Sequence, residues 1–558
     1  MDYSILVGGE AGQGMDTFAH ILERTLKRLG FYVFKHNDYM SRVRGGHNFM
    51  QVRFSNVPIY TYSSKVDIVF ALNDETVELH KSKLKDEGII VCDNDIGKDE
   101  DVLHLPLIDI SKEVKDRRVY TTAGLGAILK YFGLPVDRAE SVLRDEFKES
   151  AAESNIKALK KGYEVIESKY NLEPSKDENI IINGNQAVGL GAIAAGCKFY
   201  CGYPMTPSSG VLEYISSKYR EMEIMVDQVE DEVAALNMAL GASYAGVRAM
   251  TGSSGGGFAL MVEALSLAGI IETPVVVINV QRPGPATGFP TRTEQADLRF
   301  MIHAGHGEFP RMIIALRDPE DAFYQTARAF NLAEKYQIPV LLMSDQHLAD
   351  YTRTMKPFDF SKINIERHIS GAEAVTDEEY KRYKYTGNGI SPRLIPGKVP
   401  GQVVLVDSDE HDERGNITES AETRINMVNK RLKKFEALKE EVEEPWLIGT
   451  EEPENLIVCW GSTYGAVREA VERLNGEGVS VGALVYGDIW PLPTKRLLEM
   501  NKYAKKIIDI EQNATGQLDS LIREEALIKC SHKVLKYDGR PFSGDEIYER
   551  LKGVIDNE

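Results

Sequence analysis

The chain has 558 residues, with 85 Asp or Glu against 66 Lys or Arg, for a formal charge of −19 at pH 7. At about 150 residues per domain, that length makes three or four domains. The acid excess argues against nucleic acid or an anionic membrane as the main partner, and 43% hydrophobic with 27% charged residues excludes disorder, collagen and disulfide scaffolds.

The first element is a strand, SILVGG. A glycine-rich turn follows, then a helix in which Phe18, Leu22, Leu26 and Leu29 share one face and Gly30 ends the run. Apolar runs at VDIVFAL and GIIVCD continue the alternation, which predicts a parallel sheet with helices on both faces over residues 1–170. The polar stretch NLEPSKDEN (171–179) reads as a linker. A second α/β unit, 179–350, opens at IINGNQAVGLGAIAAG and holds two buried-strand patterns, TPVVVINV and IPVLLMSDQ. Residues 351–450 lose the alternation and form a connecting arm with a basic helix, MVNKRLKKFEALKEEVEE. A third unit, 451–558, starts at NLIVCWGS, continues through a helix with Val467, Val471 and Leu474 on one face, and returns as the strand VSVGALVY. The expected fold class is α/β, with three parallel-sheet domains.

The five cysteines, Cys92, Cys197, Cys201, Cys459 and Cys530, form no CxxC pair. No iron–sulfur cluster or structural zinc is expected in this chain, and scattered thiols suit a reducing cytoplasm. The start, MDYSILVGGE, has no basic leader region, and no stretch reaches the roughly 18 charge-free apolar residues of a membrane span.

The motifs follow in chain order. GGEAGQG (8–14) fits neither the dinucleotide fingerprint nor a Walker loop. Its glycines expose backbone N–H groups at a helix start, which suits an anion, or they serve only a tight turn. SRVRGGHNFMQVRFS sets Arg42, Arg44 and His47 around two glycines, as an anion site or as a hairpin with solvated charges. GYPMTPSSG (202–210) follows a strand and so lies at the end where α/β ligands bind. Thr206, Ser208 and Ser209 offer hydroxyls there, and Thr206 or Ser208 would serve equally as an N-cap.

In MVDQVEDEVAALNMALGASYAG, Glu230, Asp231 and Glu232 open a helix, where acids suit the dipole. Glu232 shares a side with Leu236 and Ala239, so its carboxylate turns inward and wants a partner such as a heterocyclic nitrogen. GSSGGG (252–257) suits close approach of a ligand. QRPGPATGFPTRTEQADL (281–298) is a shaped Pro/Gly loop carrying Arg282 and Arg292, a pattern for carboxylate recognition. Asp407, Asp409, Glu410, His411, Asp412 and Glu413 read as a solvated turn, because consecutive acids cannot converge on one cation.

Together these segments resemble the alpha subunit of 2-oxoacid:ferredoxin oxidoreductases, 2-oxoglutarate synthase included, in the form with the gamma domain fused N-terminally. GGEAGQG and SRVRGGHNF are similar to the gamma-domain motifs. GNQAVGLGAIAAG, GYPMTPSS, EDEVAALNMALGASYAG and QRPGPATGFPTRTEQADL are similar to the thiamine-diphosphate pyrimidine-binding domain. RYKYTGNGISPR and DEHDERG match the connecting segment, and IDIEQNATGQL (508–518) resembles the transketolase-C-terminal-like domain. GSSGGG departs from the family's TSxPG-like run.

The resemblance implies oxidative decarboxylation of a 2-oxoacid (2-oxoglutarate, or a broad range that includes pyruvate) to acyl-CoA and CO2, with electrons passing to ferredoxin. Glu232 is then the catalytic partner of the aminopyrimidine ring. Thr206, Arg282 and Arg292 bind substrate, Arg44, Gly12 and Gly14 bind coenzyme A, and Gln512 and Asn513 are structural or lie at an interface. The chain has neither the GDG motif with paired Asn for Mg2+-diphosphate nor a cysteine set. Mg2+ and the [4Fe-4S] cluster are therefore expected in a beta subunit, with thiamine diphosphate shared between the two chains. The alternative is a non-catalytic nucleotide or acyl-CoA binding and assembly subunit, against which Glu232, Thr206 and the two loop arginines count. An indolepyruvate-type large chain is a third reading, and it would carry the thiamine and cluster motifs that are absent here.

Overall fold

The computed structural model describes residues 1–40, 46–97, 102–376 and 379–556. They divide into two units: Met1–Asn183 with Asp350–Phe358 and Ser543–Glu546, and Gly184–Ala349 with Asp359–Phe542 and the segment from Ile547 onward.

The first unit is built on an eight-stranded sheet in the order Val102–Leu105, Leu84–Asp93, Val66–Ala71, Asp2–Glu10, His47–Ser55, Tyr32–Asp38, Thr352–Met355, Ile180–Asn183. The first four strands are parallel and the others run antiparallel to their neighbours. The α/β class holds, but this sheet is mixed. The cause is the hairpin of Tyr32–Asp38 with His47–Ser55, which pairs directly instead of passing through a crossover helix. The sequence reading opens the second unit at IINGNQ, whereas the structure gives Ile180–Asn183 to the first sheet, paired with Thr352–Met355. A four-residue apolar run does not say which sheet it will join. The helix Met15–Arg28 buries Phe18, Leu22 and Leu26, as its period predicts. Gly30 follows at φ 82, and a Cβ there would lie 2.4 Å from the Ser175 backbone.

The second unit contains two sheets. The seven-stranded one runs Asp488–Trp490, Met312–Ala315, Pro339–Asp345, Val275–Gln281, Ala249–Ser253, Phe199–Gly202, Met225–Gln228, and only its first pair is antiparallel. Every residue of Val275–Gln281 and Pro339–Asp345 is buried, which is why their apolar runs are continuous rather than alternating. The five-stranded sheet runs Trp446–Gly449, Val481–Tyr486, Asn455–Trp460, Lys506–Glu511, His532–Leu535, again with one antiparallel pair, the first. A single apolar cluster joins the two sheets, with Phe199 and Val277 from one, Val458, Trp460 and Leu484 from the other, and Leu236 from the helix Glu232–Tyr244.

The arm, expected to hold no sheet, gives a strand to two of them at its ends, Thr352–Met355 to the first sheet and Trp446–Gly449 to the five-stranded one, because a short run suffices to pair with an exposed edge. Its helix, Ala421–Leu438, buries Lys430 and Lys434 against Glu272. Burial pulls the Lys434 ammonium down to about 7, against the opposing charge of Glu272. The acidic patch is used internally. Glu410 accepts from Arg424 and Arg431, Asp412 caps a turn through the N–H groups of Arg414, Gly415 and Asn416, and His411 is buried against Tyr383.

Candidate functional site

The site is assembled where several parallel strands end. The helix Glu232–Tyr244 begins with Asp231 as its N-cap, accepting from Ala234 N at 2.7 Å. Asp231 is therefore a cap rather than a first-turn acid, and Glu230 lies outside the helix. Glu232 is only 2% exposed and packs on the side of Leu236 and Ala239, as its spacing predicts. Ser253, the last residue of its strand, donates from Oγ to Glu232 Oε1 at 3.1 Å.

The glycine run explains itself at this point. A Cβ on Gly257 would stand 2.2 Å from Glu232 Oε1 and 2.0 Å from Ser253 Oγ, and one on Gly255 would stand 2.4 Å from Asp297 Oδ2. Two carboxylates lie against this backbone, so side chains are excluded at both positions. Gly256 has no atom nearer than 3.9 Å to such a Cβ.

GYPMTPSSG joins the same cluster. Met205 Sδ accepts from Ser254 Oγ at 2.7 Å, and the Thr206 carbonyl accepts from Arg282 Nη1 at 2.7 Å. The Pro207 carbonyl accepts from Asn185 Nδ2 at 2.8 Å. The Thr206 side chain is exposed, and the helix Ser209–Ser217 has no side-chain cap, so the N-cap role expected for Thr206 or Ser208 is not taken. Burial lowers the pKa of Arg282 from its ordinary value.

Arg292 is placed differently. Its Cβ lies 3.1 Å from where Gly539 would carry one, and Thr293 N donates to Gly539 O at 3.2 Å. The residues beyond it are locked to the five-stranded sheet through Gln295. Gln295 N donates to Gln512 O at 2.7 Å, its Nε2 donates to Trp460 O at 3.0 Å, its Oε1 accepts from Thr463 Oγ1 at 2.8 Å, and its carbonyl accepts from Asn513 Nδ2 at 3.0 Å. Asn513 also donates to Glu511 Oε2 at 2.7 Å, as Trp460 Nε1 does at 2.8 Å. Gln512 and Asn513 thus act structurally, by holding the arginine loop. Asp297 accepts from Asn279 Nδ2 at 2.9 Å, and burial raises its pKa.

Ser253, Asp297 and Gln295 escape a reading of the sequence. The one signal was that the motifs carrying them all follow strands. In the first unit, Gly12 at φ 95 and Gly14 at φ 89 line a cavity of about 260 Å³ with Thr17, Arg118, Thr121 and Asn155. Gly14 is the N-cap of Met15–Arg28 and provides no side-chain cap. Arg118 is paired with Asp116 at 2.9 Å. Arg42 and Arg44 lie outside the described residues.

Three family models match consecutive parts of the chain. Residues 4–165 match pyruvate ferredoxin/flavodoxin oxidoreductase, 190–430 match the thiamine-diP-binding part of pyruvate flavodoxin/ferredoxin oxidoreductase, and 453–547 match core domain II of pyruvate:ferredoxin oxidoreductase. A 2-oxoacid:ferredoxin oxidoreductase subunit alpha from a Sulfolobus species is 33% identical over 100% of this chain and 97% of its own. The 2-oxoglutarate oxidoreductase subunit KorA of Mycobacterium tuberculosis is 27% identical over 99% and 91%. Among solved structures, the 2-oxoglutarate:ferredoxin oxidoreductase of Magnetococcus marinus, with 2-oxoglutarate, coenzyme A and succinyl-CoA bound, superposes with a TM-score of 0.93 at 34% identity, covering 99% of both chains.

Proposed function

This chain belongs to the alpha subunits of the 2-oxoacid:ferredoxin oxidoreductases, and we propose that it supplies the acid–base half of a thiamine-diphosphate site that a beta subunit completes. The reaction is oxidative decarboxylation of a 2-oxoacid, 2-oxoglutarate or a broader range, to acyl-CoA and CO2 with electrons to ferredoxin. Relatives that match along their whole length carry the names of enzyme subunits, which supports catalysis over the binding and assembly alternative.

The observation that carries the reading is the Glu232 carboxylate. It is buried, held through one oxygen by Ser253, and packed against the Gly257 backbone, where a side chain would not fit. A buried carboxylate needs a polar partner, and a ring nitrogen of the aminopyrimidine fits that need. Thiamine diphosphate, when bound, supplies the carbon nucleophile and the electron sink for decarboxylation. Glu232 holds the proton exchanged with the ring nitrogen, and Ser253 orients the carboxylate by donating to its Oε1. Arg282 and Arg292 orient carboxylates, and Thr206 orients the keto-acid end. Gly12 and Gly14, with Arg44, receive coenzyme A phosphates at a helix N-terminus. Mg2+ and the [4Fe-4S] cluster are assigned to the beta subunit, since the sequence has neither a CxxC pair nor the GDG motif with paired Asn. The five buried free thiols suit a cytoplasmic location. No helix among the described residues is long and apolar enough to cross a membrane.

The test is the co-purified complex on an oxoacid panel with a viologen acceptor. Glu232→Gln is nearly isosteric, so assembly should be close to normal while decarboxylation slows at least ~10²-fold. Full activity in that variant would remove Glu232 from the reaction.

A further inference from the structure

The arginine loop carries one carboxyl group that the reaction above leaves unused. Thr293 and Gln295 both donate N–H to the same flank, the every-second-residue pattern of extended chain. Their side chains turn into the protein, Thr293 to Asp345 and Gln295 to Trp460 and Thr463. Glu294, between them, takes the opposite side together with Arg292. It is half-buried, and among the described residues its carboxyl has no hydrogen bond or ion pair. The charged group facing it is Asp297. Asp297 in turn lies against Gly255, two residues before the glycine that faces Glu232. A carboxyl without a hydrogen bond or ion pair among the described residues thus stands beside Asp297, on a loop whose alternate residues are locked.

We propose that Glu294 is a specificity-determining residue of the 2-oxoacid site, whose carboxyl donates a hydrogen bond to the anionic end of the substrate. This rests on the 2-oxoacid reading above. Burial and the charge of Asp297 push its pKa up to about 7. The donor form therefore prevails at pH 6, and the ionised form, which repels an anion, prevails at pH 8. An ordinary glutamate near 4.3 would be ionised at both.

The experiment measures KM for 2-oxoglutarate in the reconstituted complex from pH 6 to 8, where both substrate carboxylates stay ionised. The neutral fraction of a group titrating near 7 falls about tenfold over that range, and KM is expected to rise about tenfold with it. Glu294→Gln keeps a neutral donor and should give a flat profile, and Glu294→Asn provides a second neutral variant if the first fails to assemble. A flat profile in the unaltered complex, or an unchanged rise in either variant, overturns the proposal. Binding of 2-oxoglutarate by calorimetry at the same pH values separates the two claims. No turnover with pH-dependent binding sinks the enzymatic reading alone, while turnover with pH-independent binding sinks only the role of Glu294.

Discussion

A methyl group at position 257 has nowhere to go, because Glu232 Oε1 and Ser253 Oγ occupy its place. Gly257→Ala is therefore expected to displace the carboxylate and lower kcat at least ~10-fold, while Gly256→Ala, which meets open space, should be nearly silent. Steady-state kinetics of the two variants in the complex check this, and equal losses would refute the cradle. Glu230→Gln should also be silent, since Glu230 precedes the cap. The inward turn of Glu232 was legible because a helix repeats every 3.6 residues and Leu236 and Ala239 mark the buried side. Its partner was not. Ser253 meets Glu232 only because two chain segments, 21 residues apart, converge at the ends of the two strands that flank Phe199–Gly202, and nothing in local spacing encodes that meeting.

At the scale of elements, the loop bearing Arg292 and Glu294 is fixed by the segment that follows the strand Lys506–Glu511. Asn513→Ala removes the donor shared by Gln295 O and Glu511 Oε2. A cost of about 1–3 kcal/mol is expected in chemical denaturation, with a raised KM for the oxoacid as the loop loosens. Unchanged values of both would contradict the coupling. The first sheet offers a pH test. His47 and His80 share a buried hydrogen bond, Nε2 to Nε2, at 2.7 Å. Burial, then the charges of Lys83 and His47, hold His80 down to about 3, with Asp38 opposing. The unfolded chain takes up that proton near 6.5 and the folded one does not, so this stability is full above 6.5 and is lost as pH falls toward 3. Hydrogen-exchange protection of His47–Ser55, corrected for intrinsic rates, should decline from pH 6.5 to 4, and His80→Gln should flatten the decline. The alternating strands and helices of this unit could be read from its apolar runs. The pairing of His47–Ser55 with both neighbours, and of Ile180–Asn183 with Thr352–Met355, could not, since strand direction is settled by the connections and not by composition.

Over the whole molecule, the two sheets of the second unit share one core, and the candidate site draws its residues from both sides of it. In the account proposed above, Glu232, Arg282 and Arg292 form one part of a catalytic site that this chain does not complete, since its sequence has no cysteine pair or diphosphate–Mg2+ motif. The most direct measurement of that claim compares the purified chain with the complex it forms with its beta subunit, scoring iron, acid-labile sulfide and thiamine-dependent turnover of a 2-oxoacid. The account expects the chain alone to be colourless and inactive, and the complex to hold the cluster and reduce the acceptor. A stoichiometric cluster on the chain alone, or turnover without a partner, would contradict it.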